Sequence, residues 1–271
     1  MADKDITKVR PNAIQVPQPS FMEEDKGKGV EELRHFVTPS RLKIVQKQSD
    51  DKLLQEFGNG YVILQKGDGS TEVIAKMVYD DKGNPIKGEP FMFTPVFFFA
   101  EYVEWNPRGT EPAIRGRTLN KFDDIALRSK NPETRSRPHP TAKGEIACSE
   151  QLNFLVVIDG QTEPAIMTFA RGSHKRGRAL CNLIQMRKSP LYGCRIEGMV
   201  APDSNEKGSW WSFDGQNPPE GESPWVTDEA KYAAFKATNE EFQDLHVNSR
   251  LRPVYEEEVS RPDDNAPTSE F

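Results

Sequence analysis

Between Phe91 and Trp105 the chain reads FMFTPVFFFAEYVEW, a stretch in which large apolar side chains crowd almost every position. No other segment restricts the fold as strongly. Its most apolar part, Phe91 to Ala100, spans ten residues and contains Pro95, whereas a membrane-crossing helix needs roughly 20 apolar residues. The aromatic content instead predicts a long β-strand, bent where the proline cannot donate to a ladder. Period-2 alternation puts Phe97, Phe99, Val103 and Trp105 on one face and Phe98, Tyr102 and Glu104 on the other. Two arrangements satisfy this pattern. Either the strand is buried on both sides, by a helix and by further sheet, or one face is core and the other presents rings to a ligand.

The neighbouring segments also read as β. Tyr61 to Lys66 and Glu72 to Tyr79 flank Gly67-Asp68-Gly69-Ser70, a hairpin signal. Leu152 to Ile158 and Ala165 to Ala170, joined through Asp159-Gly160, predict a second hairpin, and Leu191 to Val200 and Trp210 to Phe213 predict later strands. Six or so antiparallel strands suggest a barrel or sandwich. Two helices are expected beside them. Ser173 caps the first, which runs to about Lys188 with Leu180, Leu183 and Ile184 as its buried stripe and Lys175 and Arg178 on the far side. Thr227 caps the second, with Asp228 and Glu229 in its first turn and Phe235, Phe242 and Leu245 inward.

The fold class expected is therefore mainly β with peripheral helices (α+β), as an antiparallel OB-fold-like barrel with insertions. Residues 1–40 read as an N-terminal arm and linker with three prolines before residue 20, residues 41–250 as the core, and residues 251–271 as an acidic tail.

Charge is segregated along the chain. From Arg171 to Arg195 there are seven Lys or Arg and no acid, and from Arg108 to Lys143 nine against four acids, yet the net charge is −6. A basic middle in an acidic protein is what a groove for a polyanion requires; solvated faces are the plainer reading of each run. The stretch from Gly109 to Gly144 has no clear period, and its charge favours a binding loop that orders on a polyanion.

Exposed rings beside cations are how single-stranded nucleic acid is held, because bases stack while Lys and Arg follow the phosphates. Tyr102 and Trp105, near Arg108 and the basic loop, are the stacking candidates. Trp211 belongs to a second cluster, Trp210-Trp211-x-Phe213, which is either a stacking site or a core corner. Arg108, Arg115, Arg117, Arg171, Lys175, Arg176 and Arg178 are the expected phosphate contacts.

Other chemistry finds little support. Three cysteines, Cys148, Cys181 and Cys194, have no zinc spacing and suit a reducing compartment. Mean hydropathy of −0.71 and the absence of an apolar segment near the N-terminus predict a protein of the cytoplasm. There is no phosphate-binding loop, no dinucleotide fingerprint, no His-Glu-x-x-His and no nucleophile elbow, so no cofactor, metal or catalytic residue is assigned and no enzyme is expected. The acid pairs Asp80-Asp81 and Asp123-Asp124, and Pro202-Asp203 with Glu206-Lys207, keep a metal-dependent nuclease as an alternative.

The chain ends Tyr255-Glu256-Glu257-Glu258, then Asp263-Asp264, then Ser269-Glu270-Phe271. Too acidic and too poor in apolar residues to pack, it offers a partner one ring, a carboxylate and adjacent acids. This tail behind a β-rich body with aromatic and basic residues resembles the single-stranded DNA-binding proteins of bacteria and, above all, of bacteriophages, although it ends in Ser-Glu-Phe and the body exceeds a minimal OB-fold. Pro39 to Gln46 and Pro95 to Arg108 also look like a set of phage-encoded proteins. The resemblance implies an OB-fold that holds the strand, with Glu256, Glu257, Glu258, Asp263, Asp264 and Phe271 recruiting replication or recombination proteins and competing for the groove; a homo-oligomer is compatible with it. The main rival is a virion-associated or protein-interaction protein that does not distinguish single from double strands.

Overall fold

Turn chemistry divides the chain into short elements linked by long-range pairing. A computed structural model describes residues 40–247, apart from 48, 50, 68, 108 and 207, and residue 251. Strand β1 (Ser40–Ile44) and helix α1 (Asp51–Phe57) precede β2 (Val62–Gln65) and β3 (Thr71–Ala75), the hairpin expected around Gly67 to Ser70. β4 (Met77–Tyr79) and β5 (Pro85–Gly88) form a small separate sheet. In its turn, Asp80 Oδ1 accepts the backbone N–H groups of Lys82 and Asn84 at 2.9 and 2.7 Å. The long strand β6 (Phe91–Trp105) is followed by β7 (Ile114–Thr118), α2 (Asp124–Lys130) and β8 (Ser136–Pro138). β9 (Glu145–Ile158) and β10 (Ala165–Ala170) are the second hairpin, then come α3 (His174–Met186), β11 (Ile196–Asn205), β12 (Gly208–Gln216) and α4 (Glu229–Val247).

The main sheet runs β12-β11-β6-β9-β10-β1-β2-β3, with β7 beside the far end of β6 and β8 beside the start of β9. Its pairs are antiparallel except for β1 with β10, which are parallel. The sheet curls into a half-barrel. Just past β1, the Gln46 side-chain amide donates to the Trp211 carbonyl at 2.7 Å and accepts its N–H at 3.0 Å, so one side chain bonds to the β12 backbone as a strand neighbour does. The architecture is thus mainly β with peripheral helices and a barrel-like sheet.

Of the two arrangements open for the aromatic strand, β6 adopts the doubly buried one. Inside the curl, Phe93, Phe154, Val156, Met167, Phe169 and Ile196 form the larger core, closed by Leu180 and Ile184 of α3. Gly177 permits that approach, since a Cβ there would stand 2.7 Å from Phe169. On the outer face, Val96, Phe97, Phe99, Leu155, Val157 and Ile166 form a second core covered by Phe235 and Phe242 of α4. The bend expected at Pro95 is a bulge, where the register shifts between Pro95 and Phe97. Val96, the extra residue, has its carbonyl capped by Asn239 Nδ2 at 2.7 Å.

Local details differ from expectation in several places: the strand expected from Glu72 to Tyr79 is split into β3 and β4, the loop expected after it holds β5, and β9 and β11 begin at Glu145 and Ile196. Ser173 does not cap α3, because its hydroxyl turns back to bond both the N–H and the C=O of Ala170 at 2.9 Å. At α4 the cap falls one residue later than Thr227, with Asp228 Oδ1 accepting from Lys231 N at 3.0 Å. The basic stretch from 109 to 144 is folded into β7, α2 and β8 and is not a free loop; Asp123 Oδ1 caps α2 by accepting Ile125 N–H at 2.9 Å. No helix among the described residues is long and apolar enough to cross a membrane. Residues 1–39 of the expected arm and 252–271 of the acidic tail lie outside the described residues.

Asn239→Ala leaves the bulge carbonyl without its partner in a half-buried setting. A loss of about 1–2 kcal/mol is expected, read as a lower urea midpoint at unchanged slope; an unchanged midpoint shows that solvent replaces the amide.

Candidate nucleic-acid interface

The site lies where the sheet is interrupted. β8 pairs with β9 only from Glu145 to Ala147, and β10 begins its pairing at Gln151. Cys148, Ser149 and Glu150 therefore have a full strand neighbour on the β6 side alone, apart from Cys148 N–H, which donates to the Arg135 carbonyl at 2.8 Å. A cavity of about 1010 Å³ opens at this gap. Around it stand Lys130 from the end of α2, Arg135 and Lys143 from the segments flanking β8, Arg171 from the turn after β10, and His174 and Arg178 one helical turn apart on α3. Glu145 and Glu150 are the acids lining it. Clustered cations in a partly desolvated cleft attract anions more strongly than the same charges spread over a surface.

One aromatic side chain lines the cavity. Trp105, at the end of β6, donates its indole N–H to Ser149 Oγ at 2.8 Å, which fixes the ring plane against β9. The Arg171 guanidinium lies over that ring, 5.2 Å from its centroid. Beside it, Glu150 is bonded to His174 Nε2 at 2.8 Å, with Arg178 Nη2 at 3.7 Å. The His174 hydrogen bond, with a smaller one from Tyr102, holds the Glu150 carboxyl below the usual carboxylate range against the opposing effect of burial.

Next to the cavity a buried carboxylate gathers three arginines. Glu104 Oε1 is 2.6 Å from Arg128 Nη1 and 3.1 Å from Arg137 Nη2, and Oε2 is 3.3 Å from Arg115 Nε. Cys148 Sγ is 3.9 Å from the same carboxylate, and burial pushes its thiol up. Three residues earlier on β6, Glu101 pairs with Arg117 Nε at 3.2 Å. These ion pairs fasten β7, α2 and β8 onto β6, since a buried carboxylate is tolerated only when charge and hydrogen bonds surround it.

This arrangement shows which partners the expected contact residues already have. Arg115 and Arg117 are committed to Glu104 and Glu101. Arg176 is held by Asp203 and Asp214, both at 2.7 Å, and by the Pro202 carbonyl, so its guanidinium is structural. Tyr102 is only 4% exposed and Lys130 Nζ sits over its ring at 4.9 Å, which leaves no face for a base. Trp211 packs against the larger core while its backbone bonds Gln46. Trp105, Arg171 and Arg178 do come together at the cavity, and Lys175 is exposed on the same helix. Arg108 and the tail residues Glu256, Glu257, Glu258, Asp263, Asp264 and Phe271 lie outside the described residues. Three of the four acids in the pairs Asp80-Asp81 and Asp123-Asp124 are engaged locally: Asp80 in its turn, Asp123 as the α2 cap, and Asp124 on Arg128 at 2.7 Å.

Residues 11–248 match the Pam3 phage gp34-like protein family. The chain belongs to that family. It is thus a member of a phage protein family, and the matched stretch stops before the acidic tail. No curated protein and no solved structure matches it.

Several cavity residues escape a reading of the sequence. Lys130, Arg135, Lys143 and His174 count there only as members of basic runs. Ser149 and Glu150 go unread because the strand is expected to begin at Leu152, although alternation of buried Ile146 and Cys148 extends β9 back to Glu145.

The Glu150 carboxyl supplies a pH test. A depressed pKa contributes stability that is present above the unfolded value and lost as pH falls through the folded one. In His174→Ala, the Glu150 carboxyl is expected to titrate at a higher pH than in the wild type, followed by its side-chain carbon resonance, and the acid-side loss of stability shrinks. A resonance that titrates unchanged assigns the depression to Tyr102 and Lys130.

Proposed function

We propose that this phage protein binds single-stranded DNA in replication or recombination, in the host cytoplasm, as a binding protein and not as an enzyme. The observation that carries the reading is the Trp105 ring on the wall of a cavity of about 1010 Å³ lined by Lys130, Arg135, Lys143, Arg171 and Arg178. A base stacks on the indole, worth about 1–3 kcal/mol and tolerant of sequence. The five cations follow the phosphates on either side. The ion-paired arginines around Glu104 build the wall and do not touch the strand.

Charge and stacking predict different dependences. If all five cations release counterions, log affinity falls with log salt at a slope of about −3.5, from roughly −0.7 per neutralised phosphate. Fluorescence anisotropy with a labelled oligothymidine and a duplex of equal length, at several salt concentrations with EDTA present, measures both. Salt-sensitive binding of the single strand in preference to the duplex is expected, and Trp105→Ala should weaken it about tenfold or more. Equal binding of both favours a protein-interaction or virion role, and loss of substrate on adding magnesium favours a nuclease.

The acidic tail enters this proposal as a competitor for the same cations and as the contact for replication or recombination proteins. Deleting residues 252–271 should tighten strand binding most at low salt, where charge competition is least screened. Equal affinities for the truncated and full chains remove the competition.

A further inference from the structure

The turn that carries Arg171 is built more rigidly than a phosphate contact requires. Arg171 has φ of 48°, one of two non-glycine residues with positive φ among the described residues. For a residue with a Cβ this left-handed conformation is disfavoured and persists only where the surroundings fix it. They do so from both sides. The Ser173 hydroxyl closes the turn onto both backbone groups of Ala170, and Gly172 lies so close to the Trp210 indole that a Cβ would stand 2.5 Å from it. The result places the guanidinium of an exposed residue over Trp105, whose own plane is fixed by Ser149.

We infer that Arg171 is the second jaw of a base clamp: an unpaired base enters between the Trp105 indole and the Arg171 guanidinium and stacks on both. This deepens the proposed function and rests on it. A base between two stacking partners needs about 6.8 Å, twice the rise of roughly 3.4 Å between stacked bases. The present 5.2 Å separation therefore widens by roughly 2 Å, within reach of a long side chain whose backbone stays fixed. Arginine suits this role because its guanidinium is planar and weakly hydrated and stacks on π-faces, whereas the ammonium of lysine is a compact, strongly hydrated point charge. In the free protein the same guanidinium rests on the indole as a cation–π contact, so the site is covered until a base displaces it. A base in a duplex has both faces occupied by its neighbours and cannot enter, and single-strand preference follows from the clamp itself.

Charge-conserving substitution separates a clamp from a simple cation. Arg171→Lys is expected to bind an oligonucleotide about tenfold more weakly at fixed salt, the scale of one lost stacking contact, with the salt slope of the wild type. Arg171→Ala loses the same stacking and also lowers the slope by about 0.7. With 2-aminopurine in the oligonucleotide, quenching on binding should be strong for the wild type and weak for Arg171→Lys and Trp105→Ala. Arg171→Gly checks folding, because glycine accepts the left-handed turn, and it should unfold at or above the wild-type temperature while binding weakly. Wild-type affinity and quenching in Arg171→Lys overturn the clamp while leaving strand binding intact. Absence of oligonucleotide binding by the wild-type protein instead overturns the proposed function.

Discussion

Burial of β6 on both faces is the constraint around which the other elements are arranged. A strand carrying Phe93, Phe97, Phe98, Phe99 and Val103 cannot leave either side in water, so it requires one cover inside the curl and another outside it. The inner cover comes from the sheet's own curvature together with α3, and the outer from α4 through Phe235 and Phe242. Fully burying one such side chain is worth about 1.5–3 kcal/mol, against roughly 1 kcal/mol net for a typical hydrogen bond. The Val96 bulge lets one strand serve both covers, bending it where the two cores change over, and Asn239 satisfies the carbonyl that the bend exposes.

Past Ala100 the strand changes character. Glu101 and Glu104 occupy buried positions where apolar residues would continue either core, and each recruits arginine from the segments that follow. This part of β6 is a template for ion pairs. Arg115, Arg117, Arg128 and Arg137 wrap β7, α2 and β8 around it, and that wrapping delivers Lys130, Arg135 and Lys143 to the cavity. The basic run is thus divided between arginines that hold the wall and cations that line the opening. Net charge along the sequence does not distinguish the two groups, because the deciding partners, Glu101 and Glu104, sit on another strand.

Most elements were legible from the chain. Glycine and aspartate marked the β2–β3 and β9–β10 hairpins, the i, i+3, i+4 spacing of Leu180, Leu183 and Ile184 marked α3, and Pro95 marked the bend. Cap positions were less so, since the hydroxyl of Ser173 has two nearby acceptors and donors to choose from and turned to Ala170. Residues 109–144 hid three elements too short to show a period, held in place by ion pairs across the sheet. At the site, Trp105, Arg171 and Arg178 were recognisable by residue type and neighbourhood. Arg176 was not separable from them in sequence, because Asp203 and Asp214 reach it only through the β11–β12 pairing. Glu150 is hidden for a different reason: it lies in the part of β9 that precedes the apolar run starting at Leu152.

Under the proposed function, that acid bears on how such a cleft would discriminate. Glu145 and Glu150 offset part of the charge of five cations, and Glu150 in turn draws on His174 and Arg178. The field left for a phosphate chain is therefore weaker than the count of Lys and Arg implies, and attraction between charges would in any case serve single and double strands alike. Where cations are partly neutralised, a larger share of affinity must come from contacts that only one ligand can make. A flat ring fixed by Ser149 is such a contact, since a base in a duplex already has both faces covered. On the proposed function, the carboxylate that weakens the cleft as a trap for polyanions would thereby make stacking on Trp105 the term on which strand selectivity turns.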